Sequence, residues 1–184
     1  VGTKPHPKPT RLRVITEEMD VTQGKLVIGL HTGILGTDPD YPALTLLNAV
    51  LGSGMTSKLF VNVREKRSLC YYASSAVERY KGIMQISSGI EFDKYETAKN
   101  AIFHELDECR QGRITEAELE SARRGVVSAL RSALDVPARL DDYYLGNAVA
   151  GGDRVETLLE KISALTKDDL VRAAQRITPD TVYF

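Results

Sequence analysis

Residues 51–75 read LGSGMTSKLFVNVREKRSLCYYASS. Gly52-Ser53-Gly54 breaks an apolar segment, because glycine adds backbone freedom that a helix must give up. The spacing then predicts a short helix over Ser57–Lys66 with Leu59, Phe60 and Val63 on its inner face, and a strand opening near Cys70. Upstream, Gly24–Thr32 alternates: Leu26, Ile28 and Leu30 share one side, and Val27, Gly29 and His31 the other, the signature of a half-buried strand. Asp38 followed by Pro39 reads as the cap and first position of a helix, and Ala43–Leu51 is apolar nearly all round, so that helix is expected to be buried. Downstream, Cys70–Tyr80 and Ile83–Ile90 read as two strands joined at Lys81-Gly82. Met84, Ile86 and Ile90 fall on one face of the second strand; Gln85, Ser87 and Gly89 fall on the other.

The remainder reads as helical. Tyr95, Ala98, Ile102, Leu106 and Cys109 recur at spacings of three and four. Thr115 and Glu118 form a capping box for a helix whose stripe is Leu119, Ala122, Val126, Leu130 and Leu134. Further helix is expected over Asp141–Ala150 and Lys167–Ile177, with Thr166 and Asp169 as a second box, and Thr181–Phe184 reads as a strand. Hairpin-linked strands with segregated helices give an α+β fold: a mainly antiparallel sheet with helices packed on one face. The opposite face would carry Val27, Gly29, His31, Gln85, Ser87 and Gly89, small or polar groups suited to a groove. Its edge strand could accept an extended peptide by β-addition.

The 184 residues suit one domain, and 42% hydrophobic with 27% charged residues suffices for a packed core. A net charge of −1 argues against nucleic-acid or membrane binding, and no apolar run is long enough to span a bilayer. Cys70 and Cys109 form no CxxC pair and read as free thiols, consistent with a cytoplasmic location. Residues 1–10 hold Pro5, Pro7 and Pro9, so residues 1–19 read as an interdomain linker and lead-in, and 20–184 as the domain, a piece of something longer.

No metal site emerges from these residues. Of three histidines, His6 lies in the leader and His31 and His104 are far apart in sequence. His104-Glu105-Leu106-Asp107-Glu108 has Glu108 where HExxH needs its second histidine, and His104 lies about 200° around the helix from Ile102, so a solvated face is the simpler reading. Gly52–Lys58 lacks the spacing of a phosphate-binding loop. Asp141-Asp142 and Lys167-Asp168-Asp169 are most simply charges at helix starts. Read from composition alone, Arg64 is a cation favourable at a helix C-terminus and Tyr71 a strand residue.

The segment 51–75, Gln23-Gly24 at the opening of the first strand, the run Ile114–Leu119 and Ser128–Ser132 together resemble the pitrilysin/insulinase family of zinc metallopeptidases, which includes mitochondrial processing peptidase. The likeness runs from about residue 20 to the end, with its motifs in order. It implies one of the paired α+β halves from which such peptidases are built, and specifically the second, non-zinc half. The inverted H-x-x-E-H motif belongs to the first half and is absent here. Zinc is therefore expected in a companion half-domain carrying H-x-x-E-H, with an unstructured peptide as substrate and a homo- or heterodimer as the assembly. The resemblance assigns Arg64 and Tyr71, seven residues apart, as contacts to the developing oxyanion; Gln85, Ser87 and Gly89, read from the strand alternation, are the candidate substrate-binding residues. Here Cys70-Tyr71-Tyr72 replaces the family's Ala-Tyr-Ser, which puts a second tyrosine beside the first. A peptidase-like scaffold or peptide-binding subunit without catalysis is the alternative.

Overall fold

The alternating segments do pair. The computed structural model describes residues 4–184, and its five strands lie in the order β1-β5-β2-β4-β3: β1 Arg13–Ile15, β2 Gly24–His31, β3 Tyr72–Glu78, β4 Ile83–Ile90 and β5 Thr178–Tyr183. All neighbours are antiparallel except β1 and β5. Leu26, Ile28 and Leu30 of β2, with Met84, Ile86 and Ile90 of β4, are buried beneath the helices. Lys25, Val27 and Gly29 lie on the other, less covered face, beside Gly89, Ser87 and Gln85 in register.

Six α-helices follow: α1 Tyr41–Leu51, α2 Tyr95–Arg110, α3 Glu116–Leu134, α4 Pro137–Ala150, α5 Val155–Ala164 and α6 Lys167–Arg176. α1 buries Leu44, Leu46, Leu47, Val50 and Leu51 and is the central helix of the core. Both capping boxes form, at Thr115/Glu118 and Thr166/Asp169.

Several expectations are corrected. α1 starts after Asp40, with Pro42 rather than Pro39 in its first turn. Asp38 is instead occupied by Arg176 at 3.1 Å, while its other oxygen accepts from the Asp40 amide. The lead-in contributes structure: Arg13–Ile15 runs parallel to β5, so the sheet begins inside the segment read as linker. β3 is shorter than Cys70–Tyr80, and a four-residue loop, Arg79–Gly82, joins it to β4, with Gly82 at φ +66. Arg79 leaves the strand to donate to Asn147 of α4 at 2.9 Å. The α3 stripe is buried only at Leu119 and Ala122; Leu130 is half-buried and Leu134 exposed. α5 was not anticipated, although Val155, Leu158 and Ile162 repeat at helical spacing and are buried.

Candidate functional site

The segment 51–75 folds around one close approach. Gly52, just after α1, accepts the Ser75 amide through its carbonyl at 3.0 Å, and the Ser75 hydroxyl donates to Asn48 at 2.7 Å. A Cβ on Gly52 would stand 2.5 Å from Ser75 Oγ and 2.7 Å from Ser75 N. β3 is an outer strand of the sheet, but this contact interrupts its edge at Ser75, so uninterrupted β-addition there is blocked.

The short helix is a π-helix, Leu59–Glu65, with the Lys66 amide donating to the Val61 carbonyl five residues back. Such turns are rare and recur at functional sites. Its residues divide into three sides. Leu59 and Val63 are fully buried in the core. Lys58, 6% exposed, reaches Glu118 at 2.9 Å, and Asn62 donates to Glu105, 3% exposed, at 2.8 Å, tying the helix to α3 and α2. Burial alone would raise the Glu118 carboxyl, but the Thr115 amide and Lys58 overcome it and hold it low. Phe60 and Arg64 occupy the third side, the guanidinium lying 4.6 Å from the Phe60 ring centroid. Phe60 is therefore a half-buried platform for Arg64 rather than a core residue.

Arg64 and Tyr71 line one cleft of about 450 Å³, together with Ser68, Cys70, Glu91 and Lys94. Tyr71 precedes β3 and is 56% exposed; its amide donates to the Gly89 carbonyl at 2.8 Å, which fixes its backbone. The nearest carboxylate to Arg64 is Glu65 at 3.7 Å, too long for a hydrogen bond. Among the described residues neither the Arg64 guanidinium nor the Tyr71 hydroxyl has a hydrogen-bond partner, so both donors remain available. Burial raises the Cys70 thiol, partly offset by Ser88 and the charge of Arg64. Lys94 is held by Glu91 at 3.1 Å and the Ser68 carbonyl at 3.4 Å; the Glu91 hydrogen bond raises its pKa.

Gln85, Ser87 and Gly89 share the open sheet face but present different surfaces. Gln85 donates to Ser87 Oγ at 2.8 Å. Gly89 lies under the Tyr72 ring, where a Cβ would stand 2.6 Å from Tyr72 Cε1. Lys25 sits 5.4 Å from that ring's centroid. Tyr72 thus belongs to the open face, and Tyr71 to the cleft at the sheet's end.

Among the described residues, no group of three or more His, Cys, Asp or Glu could hold a metal ion. His6 and His31, far apart in sequence, do meet, with ring centroids 6.3 Å apart. Their nitrogens do not converge: His6 Nε2 engages Asp180 at 3.0 Å, and His31 Nε2 the His6 carbonyl at 3.0 Å. These donors do not fit zinc. His104 is exposed on α2, 3.7 Å from Glu108.

Known proteins share this sequence and fold. The chain is 37% identical over 171 residues to the probable inactive metalloprotease YmfF of Bacillus subtilis, covering 92% of this chain and 40% of that protein. An uncharacterized zinc protease of Streptomyces coelicolor is 28% identical, with 84% of this chain and 34% of that protein covered. The chain therefore spans 34–40% of the length of these two curated relatives. A solved conserved protein from Enterococcus faecalis superposes with a TM-score of 0.85 at 30% identity, over 97% of this chain and 42% of that one. A Bordetella parapertussis structure described as the inactive peptidase domain of a putative zinc protease shares the fold, with a TM-score of 0.72 at 17% identity, over 90% of this chain and 96% of that one. Matched over residues 2–126 by the model of the peptidase M16 inactive domain, the chain belongs to that family.

Proposed function

We propose that this domain is the non-zinc half of a zinc-dependent metalloendopeptidase, contributing chamber wall, peptide contacts and transition-state stabilisation. The observation that carries the reading is the shared cleft of Arg64 and Tyr71, with both donors uncommitted. The metal and the attacking water would belong to a companion half carrying H-x-x-E-H, acting on an unstructured peptide within a dimeric assembly. On this side, the Tyr71 hydroxyl and the planar Arg64 guanidinium donate to the scissile carbonyl oxygen as it gains negative charge. Donors held in advance stabilise the transition state more than the ground state. The stack on Phe60 and the ties at Lys58 and Asn62 keep Arg64 from paying a large ordering cost at that moment.

A second reading, a catalytically silent peptidase-like scaffold or peptide-binding subunit, is favoured by the relative at 37% identity being described as a probable inactive metalloprotease. Substitution in the two-half protein separates them. Tyr71→Phe is expected to lower kcat by roughly 10- to 1,000-fold. Arg64→Lys is impaired too, since lysine lacks the planar fork. Tyr72→Phe, on the open face, leaves turnover near wild type. If neither Tyr71→Phe nor Arg64→Lys alters turnover, or the protein cleaves no peptide, the scaffold reading stands.

A further inference from the structure

Lys94 lies outside the segment that carries Arg64 and Tyr71, yet it lines the same cleft. It comes from the 3-10 turn Phe92–Lys94 after β4 and is the last residue before α2. Its ammonium lies 3.1 Å from a Glu91 carboxylate oxygen and 3.4 Å from the Ser68 carbonyl. α2 is 16 residues long and opens at Tyr95 with no side-chain cap, so the positive end of its dipole adds to the field of the cations. Two carboxylates border the cleft. Glu91 is already paired with Lys94, and Glu65, 55% exposed, comes no nearer to Arg64 than 3.7 Å, outside hydrogen-bond distance.

We infer that Arg64, Tyr71 and Lys94 form a binding site for the terminal carboxylate of a peptide, with Lys94 as its affinity-determining residue. The inference rests on the proposed function in one respect: it identifies the carboxylate's origin. A carbonyl polarised by Arg64 and Tyr71 becomes, after hydrolysis, the carboxylate of the newly formed C-terminus. The neutral substrate carbonyl needs only donors, whereas the product carries a full negative charge, to which a second cation adds most. Lys94 therefore strengthens product binding more than substrate binding. The cleft volume suits a terminal residue better than a long segment.

The test uses the chain itself and requires no catalysis. Isotope-labelled protein is titrated at low ionic strength, where exposed charges are least screened, with three probes: N-acetylalanine, N-acetylalaninamide and N-acetylglutamic acid α-amide. The expected result is saturable shifts at Ser68, Tyr71 and Lys94 with N-acetylalanine and none with the neutral amide. The glutamic acid α-amide, whose carboxylate is on a side chain, should bind more weakly. Lys94→Gln should weaken N-acetylalanine binding about three- to ten-fold, the range for losing one partly exposed charged contact. Tyr71→Phe should weaken it less. Equal response to acid and amide, shifts confined to other basic surfaces, or unchanged affinity in Lys94→Gln overturns the inference. Stronger binding of the glutamic acid α-amide overturns the assignment to a peptide terminus. Each of these outcomes can occur while Tyr71→Phe still lowers kcat in the two-half protein, so the two readings fail independently.

Discussion

Replacing Gly52 by alanine tests whether the close approach of α1, the π-helix and β3 is as tight as the structure has it. Gly52 has φ −154, so no left-handed strain is involved and the effect is steric. The new methyl would stand 2.5 Å from Ser75 Oγ, 2.7 Å from Ser75 N and 2.8 Å from Leu59 Cδ1. The serine hydroxyl can rotate, but the Ser75 backbone nitrogen is fixed between β4 and Gly52. Overpacking of this kind costs about 1–3 kcal/mol. The displaced Ser75–Gly52 hydrogen bond adds about 1 kcal/mol, and lower unfolded-state entropy returns about 0.4–1 kcal/mol. The net loss is about 1–3.6 kcal/mol, which for a domain of this size lowers Tm by roughly 2–14 °C. Gly125→Ala is the control of opposite sign. It lies inside α3 with nothing within 4 Å of the new methyl, so helix propensity should stabilise it by about 0.5–1 kcal/mol. Thermal unfolding reads both, and native-state hydrogen exchange at the Ser75 amide reads the local break. A Gly52→Ala chain as stable as wild type, with Ser75 still protected, would refute the reasoning.

Lys58→Met should cost about 2–4 kcal/mol, toward the lower end for a broken buried ion pair because Glu118 keeps its Thr115 contacts and some solvent; a double-mutant cycle with Glu118→Gln in urea should recover part of the loss. Glu118 and Asp169 have folded pKa values below their ordinary ones, so their contribution is present above the unfolded values and is lost as pH falls through the folded ones. Stability should decline on acidification below about pH 5, and Glu118→Gln should flatten that decline; a slope unchanged by the substitution would contradict the assignment. Burial pushes the Cys109 thiol up to about 12, so an aromatic disulfide reagent at pH 8 should label Cys70 slowly in the native chain and Cys109 only on unfolding. Rapid native labelling of both would show that the α2 packing is wrong.

What the sequence determined by itself is whatever repeats within a few residues. β4 runs from Ile83 to Ile90 as its alternation requires, the α2 stripe is buried from Ala98 to Cys109 with Tyr95 half-buried, and both capping boxes close, because each depends on neighbours at most four positions apart. Arg64 and Tyr71 were legible as a pair only through the family resemblance; their residue types alone describe an ordinary helix end and strand. Tertiary structure decided the rest. β1 could not be foreseen, since three exposed residues acquire a strand only by lying beside Thr181–Tyr183. Asp38 gave up its expected cap because Arg176, 138 residues away, holds it. Leu130 and Leu134 repeat at helical spacing yet stay out of the buried core, one half-buried and the other 36% exposed, for periodicity specifies a face and not what packs on it. Lys94 entered the cleft, and Gly52 closed the β3 edge, through contacts between segments more than 20 residues apart. Local pattern fixes an element's period and its faces; which faces meet is set by long-range packing, and that is where the candidate site is made.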